Sequence, residues 1–141
     1  MKNIKKSYLI IGGILLVVFM NGCSSYNKMV ELEENSVTQW SNVNSSYQRR
    51  ADLIPNLVST VKGYAAHEKE TLTAVIEARA KATSVNIDPS KLTPEAIKQF
   101  QQAQGGVSSA LGKLMVVVEK YPDLKANQNF LDLQTQLEGT E

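Results

Sequence analysis

The sequence predicts an all-α protein built of long helices packed side by side. From residue 29 onward, apolar side chains recur at steps of three and four almost throughout. Four prolines and eight glycines in 141 residues are too few for a strand-and-turn architecture. The one clear interruption, "SVNIDPSKLTP", ends in a strong helix start: the Thr93 hydroxyl can cap, Pro94 suits the first helical position, and Glu95 complements the positive first turn. A hydrophobic content of 43% and a charged content of 21% are ordinary for a globular body.

The first 25 residues read as an address and not as part of the body. Lys2, Lys5 and Lys6 precede an apolar run over residues 8–20, and small or polar residues follow. A bilayer core needs about 20 apolar residues as a helix, so the run is short for a span and suits a signal-peptide core. An uncleaved transmembrane anchor is the alternative. In either case the lysines stay cytoplasmic and the remainder crosses. Gly22 and Cys23, just after the run, resemble a bacterial lipoprotein signal with Cys23 as the lipidation residue; Asn21 is atypical for it. The expected organisation is residues 1–25 as signal or anchor and residues 26–141 as a helical domain on the extracytoplasmic, periplasmic side.

Along the body, Val37, Trp40, Val43 and Tyr47 begin a stripe that Ala51, Ile54, Val58, Val61 and Ala65 continue, the heptad spacing of a coiled-coil-like seam. Leu72, Val75, Ile76, Arg79 and Ala82 make a second stripe through an alanine-rich stretch. Ile97, Phe100, Gln104, Val107, Leu111, Leu114, Val118 and Tyr121 form a third, up to Pro122. Gln104, the lone polar member, could fix register as a buried amide or point sideways, and the second is the expectation. Gly105 and Gly106 are expected to allow a bend or a close helix approach. Phe130, Leu133 or Gln134, and Leu137 open a last helix that reads as stopping before the fold is finished. Such an open seam invites self-association.

One stretch departs from plain bundle sequence. In "QRRADLIPNLVSTVKGYAAHE" the helical spacing survives on both sides of Pro55, which predicts a kink and not a loop. Arg49, Arg50, Asp52 and Asn56 flank it, and His67 follows. These are the candidate interaction residues. As plain structure, the arginines would be a solvated face or ion-pair partners of Asp52, Glu68 or Glu77.

Several chemistries are disfavoured by count. Without residues 1–22 the body holds 12 basic against 14 acidic residues, a poor match to nucleic acid. One cysteine and one histidine supply neither a disulfide framework nor a Cys/His metal set. "HEKET" begins like a zinc-protease helix, but the second histidine is missing. No cofactor motif is present.

The segments "YNKMVELEENSVTQWSNV", "YQRRADLIPNLVSTVKGYAAHEKETL", "LTPE" and "YPDLKANQNFLDLQTQLEGTE" together resemble the LemA family of bacterial membrane-associated helical proteins. The resemblance covers residues 26–141. It implies an N-terminal membrane segment and an antiparallel, up-down bundle whose last helix is C-terminally incomplete here. It implies no established biochemical activity. The expected function is therefore a membrane-tethered, non-catalytic scaffold or interaction module for other cell-envelope proteins. The alternatives are an enzyme or enzyme subunit using Arg49, Asp52 and His67, and a bundle that binds lipid or peptide.

Overall fold

The computed structural model describes residues 2–140; the side chains of residues 2–10, 14, 17, 18, 20–24 and 90 fall outside that description. Cys23, the expected lipidation residue, is among them. The chain forms helices α1 (Lys2–Tyr64), α2 (Lys69–Ser84), α3 (Pro94–Val118), α4 (Pro122–Lys125) and α5 (Gln128–Glu138), with a 3-10 turn at Pro89–Lys91. No strand occurs among the described residues.

Two compact units divide the chain, Met1–Gln39 and Trp40–Glu141. In the first, every described side chain is exposed except Val37, which is half-buried. The exposed set includes Ile11, Leu15, Leu16 and Phe19, each at least 50% accessible. Among the described residues, no helix is long and apolar enough to cross a membrane.

The second unit is the bundle. Contacts along it fix the directions of its helices. On α1, Trp40 and Tyr47 meet Phe100, Arg50 meets Ser108, and Glu68 just beyond the helix meets Tyr121, so α1 and α3 run the same way. Arg50 meets Thr140 and Tyr64 meets Asn127, so α5 runs opposite to α1. The short turn at residues 65–68 reverses the chain into α2. The order is up, down, up, down, as the family resemblance implies.

The core sits where the stripes converge. Ile54, Leu57, Val61, Val75, Leu114, Leu124 and Phe130 are the largest fully sealed side chains. Each fully buried aliphatic or aromatic side chain contributes about 1.5–3 kcal/mol of transfer free energy. Caps set the boundaries. Thr93 accepts from the Ala96 amide at 3.2 Å with Pro94 in the first turn, and Asn127 accepts from the Phe130 amide at 3.0 Å. Glu68 stands at the cap position of α2 without capping it; its carboxylate is held by Tyr121.

Four expectations need correction. Val43 and Ile76 belong to apolar stripes but are 42% and 50% exposed. Adjacent residues on a helix diverge by about 100°, so Val75 and Ile76 cannot both face one neighbour, and Val75 takes the core. Gln104 does not point sideways to solvent: it is 8% exposed, on the buried face of α3. Of the two roles expected of Gly105 and Gly106, the close helix approach is not found, because a Cβ at either position would meet nothing within 4 Å.

Pro55 lies inside α1, which continues through it without a break. Proline has no N–H to give to the Ala51 carbonyl, and a buried carbonyl left unpaired is costly. Arg79 of α2 supplies the missing donor: its Nε donates to the Ala51 oxygen at 2.6 Å. A side chain from the neighbouring helix thus replaces the hydrogen bond that proline removes.

Candidate functional site

The polar residues around Pro55 divide by helix phase. Arg49, Asp52 and Asn56 lie at i, i+3 and i+7 and are exposed on one face of α1. Gln48 donates to the Asp52 carboxylate at 3.0 Å within the same helix. Arg49 and Asn56 make no side-chain hydrogen bond among the described residues. Two open grooves flank this face. One, of about 430 Å³, is bounded by Asn44, Ser45, Gln48, Arg49, Asp52 and Leu53. The other, of about 450 Å³, runs between α1 and α5 past Asn56, Ser59, Asn129, Asp132 and Gln136.

Arg50, adjacent in sequence and alike in composition, is not on that face. It is 5% exposed and turned about 100° from Arg49, into the bundle. Its Nη2 donates to the Thr140 carbonyl at 3.0 Å, its Nε to the Thr140 hydroxyl at 3.1 Å, and its Nη1 to the Ser108 hydroxyl at 3.3 Å. Its guanidinium carbon lies 5.4 Å from the Tyr47 ring centroid, a cation–π distance. Thr140 follows the C-terminal end of α5, where carbonyls lack intrahelical partners and a cation complements the helix dipole. Arg50 therefore staples α1 to α3 and to the end of α5.

His67 lies in the turn after α1, exposed. Asp52 and Tyr64 are 12 residues apart on one helix, or about 18 Å along its axis at 1.5 Å per residue. Arg49, Asp52 and His67 therefore do not converge on one reacting atom, and a catalytic site built from all three has no geometric basis. At His67's end, polar groups join helices. Tyr121 donates to Glu68 at 3.1 Å, and Asn127 donates to the Tyr64 hydroxyl at 2.9 Å. Partial burial pushes the Tyr121 phenol above its usual pKa, and the hydrogen bond to Glu68 and the negative charge of that carboxylate push the same way. Among the described residues, no three His, Cys, Asp or Glu side chains are placed to hold a metal ion.

Sequence reasoning missed the role of Arg79. By spacing alone this arginine is one more member of the Leu72–Ala82 stripe. The signal was available: a charged residue on a seam, facing a helix whose proline leaves one carbonyl bare.

Comparison with known proteins adds a family. The LemA family model matches residues 39–141. The chain is 27% identical over 99 residues to Protein LemA of Metamycoplasma hominis, covering 70% of this chain and 42% of that protein. It is 28% identical over 135 residues to Magnetosome protein MamQ of Magnetospirillum gryphiswaldense, covering 82% of this chain and 49% of that one. Magnetosome protein MamQ 2 of Paramagnetospirillum magneticum is 27% identical over 133 residues, with 79% and 47% covered. The chain thus spans less than half the length of these curated relatives. The matched region takes in the whole of α2 to α5 and the bundled part of α1, and the chain belongs to the LemA family.

Proposed function

We propose that this protein is a membrane-tethered helical module that binds other cell-envelope proteins through the outer face of α1. It does so on the extracytoplasmic side and without performing chemistry on them. The observation that carries the reading is the separation of roles around Pro55. Arg50 and Arg79 are committed to holding helices together, whereas Arg49, Asp52 and Asn56 stand exposed between two grooves. A charged and amide-bearing face that takes no part in interhelix bonding is available to a partner. Exposed polar residues that do not contribute to a fold are where binding is sought first.

Tethering is supported by the charge pattern of the N-terminus. Lys2, Lys5 and Lys6 precede the apolar run, and its described members Ile11, Leu15, Leu16 and Phe19 are exposed, as lipid-facing side chains would be. Gly22 and Cys23 support a lipid anchor after cleavage as the specific form.

The test combines stability with capture. Arg49→Ala, Asp52→Ala and Asn56→Ala should each leave the melt of the full chain nearly unchanged, because exposed substitutions usually act within about 0.5 kcal/mol. Each should also weaken chemical crosslinking to envelope proteins in intact membranes. If crosslinking falls only in variants that also unfold, the face is structural and the proposal fails.

A further inference from the structure

A second site lies where α1, α2 and α3 meet; its rim shares Asn44 and Gln48 with the groove beside Arg49, and its case rests on the buried Gln104 and not on docking at α1's outer face. A cavity of about 220 Å³ opens between α1, the end of α2 with the residues after it, and the first half of α3. None of its lining residues is charged. Asn44, Gln48, Asn86 and Gln104 bring carboxamides to it, Tyr47 and Thr83 bring hydroxyls, and Phe100 borders it.

Gln104 is the decisive residue. The residue is 8% exposed, yet its side chain makes no hydrogen bond among the described residues. No buried side-chain nitrogen or oxygen in the described chain is sealed from solvent without a partner. The Gln104 amide therefore opens on the cavity it lines. A buried amide facing an apolar wall would be strongly disfavoured, and such groups are normally paired. Asn44 and Asn86 also make no side-chain hydrogen bond among the described residues. Gln48 spends its NH₂ on Asp52 and keeps its carbonyl oxygen free to accept. Thr83 spends its proton on the Arg79 and Ala80 carbonyls and can still accept.

We propose that this cavity binds one uncharged sugar ring. The absence of charge in the lining offers nothing to an ionic ligand. Asn44, Asn86 and Gln104 each carry a donor and an acceptor side by side, the pattern that a pair of adjacent ring hydroxyls answers. Phe100 is sealed at 4% exposure behind the half-buried Tyr47, with which it is in edge contact at 5.0 Å, so the apolar surface offered to the C–H face of a pyranose is a strip of the Tyr47 ring. The volume admits a small ring and excludes a folded partner. An extended peptide would also pair with carboxamides, but it needs apolar pockets for alternate side chains, and this lining is mostly polar.

The experiment is saturation-transfer NMR on the full chain in an amine-oxide detergent, since glycoside detergents carry the chemistry under test. The probes are the methyl glycosides of glucose, galactose, mannose and N-acetylglucosamine, with N-acetylalanine methylamide as the peptide probe. At least one glycoside should receive transfer. Gln104→Leu and Asn86→Ala should each weaken that binding about tenfold, the loss expected for one or two hydrogen bonds. Gln104→Leu should melt no lower than wild type, because the amide makes no side-chain hydrogen bond within the protein for the substitution to break. Arg49→Ala should leave glycoside binding unchanged even if it abolishes protein capture, which separates this site from the docking face. The proposal is overturned if no glycoside receives transfer, if transfer survives both cavity variants, or if only the peptide probe binds.

Discussion

Replacing Arg50 with alanine should destabilise the bundle by about 2–3 kcal/mol, although the sequence groups this residue with exposed neighbours. The estimate starts from its donors. Two short hydrogen bonds reach Thr140 and a longer one reaches Ser108. Hydrogen bonds involving a charged group contribute about 1.5–3 kcal/mol each, and contributions within one network do not add. The charge leaves with the side chain, so no bare cation remains. Arg50 and its acceptor Ser108 border a cavity of about 200 Å³ between α1, α3 and α5. Water can enter there, which keeps the loss below the full sum. At about 4–8 °C per kcal/mol for a domain of this size, the melt should fall by roughly 10–20 °C. The assay is far-UV circular dichroism against temperature, with Arg49→Ala as the adjacent exposed control. Arg50→Lys keeps the charge but loses the planar fork, and should recover less than half of the stability. A double-mutant cycle with Thr140→Val should show coupling of about 1 kcal/mol or more. If Arg50→Ala matched Arg49→Ala to within about 0.5 kcal/mol, the assignment of a buried staple would be refuted.

Other outcomes follow from the same contacts. Arg79→Ala should cost about 1–3 kcal/mol by leaving the Ala51 carbonyl unpaired. That cost should shrink in a Pro55→Ala background, where residue 55 regains its N–H; an undiminished cost, measured by denaturant melts, would contradict the replacement of one donor by the other. Ile54→Ala and Leu57→Ala should each lose about 2–5 kcal/mol, since both side chains are sealed in the core, and a loss under about 1 kcal/mol would contradict their placement. The Tyr121 phenol has a folded pKa raised above its unfolded value near 10. Its contribution to stability is therefore complete below about pH 10 and is lost as pH rises through the folded pKa. Ultraviolet titration of wild type against Tyr121→Phe should show one late-titrating phenol, and its absence would refute the Glu68 contact. Fatty-acid labelling should mark the wild type and vanish in Cys23→Ser; an unlabelled wild type that retains residues 1–22 would favour an uncleaved helix.

The bundle was legible because its helices bury continuous stripes, and a period of three and four survives in sequence wherever a face is covered along its length. Thr93 with Pro94 announced the start of α3 for the same local reason. What periodicity cannot register is what lies opposite. Near Val43 the partner surface narrows to Phe100, which Trp40 and Tyr47 already flank at 5.0 Å, and the valine is left in water. The site divided along similar lines. Arg49 and Arg50 are indistinguishable by composition, and only the turn of one residue about the helix sends Arg50 to a partner 90 positions away in the chain. Gln104 broke the apolar stripe in plain view, yet its burial became intelligible only once an amide-lined cavity was found beside it.

The most direct test of the central claim is site-specific photo-crosslinking in intact cells, with a benzophenone amino acid placed singly at Arg49, Asp52 and Asn56. Positions Lys98 and Lys113, exposed on α3, serve as controls. The account predicts discrete adducts with envelope proteins from the three α1 positions and none from the two α3 positions. Adducts of equal yield and pattern from all five, or from the α3 positions alone, would contradict a docking face on α1.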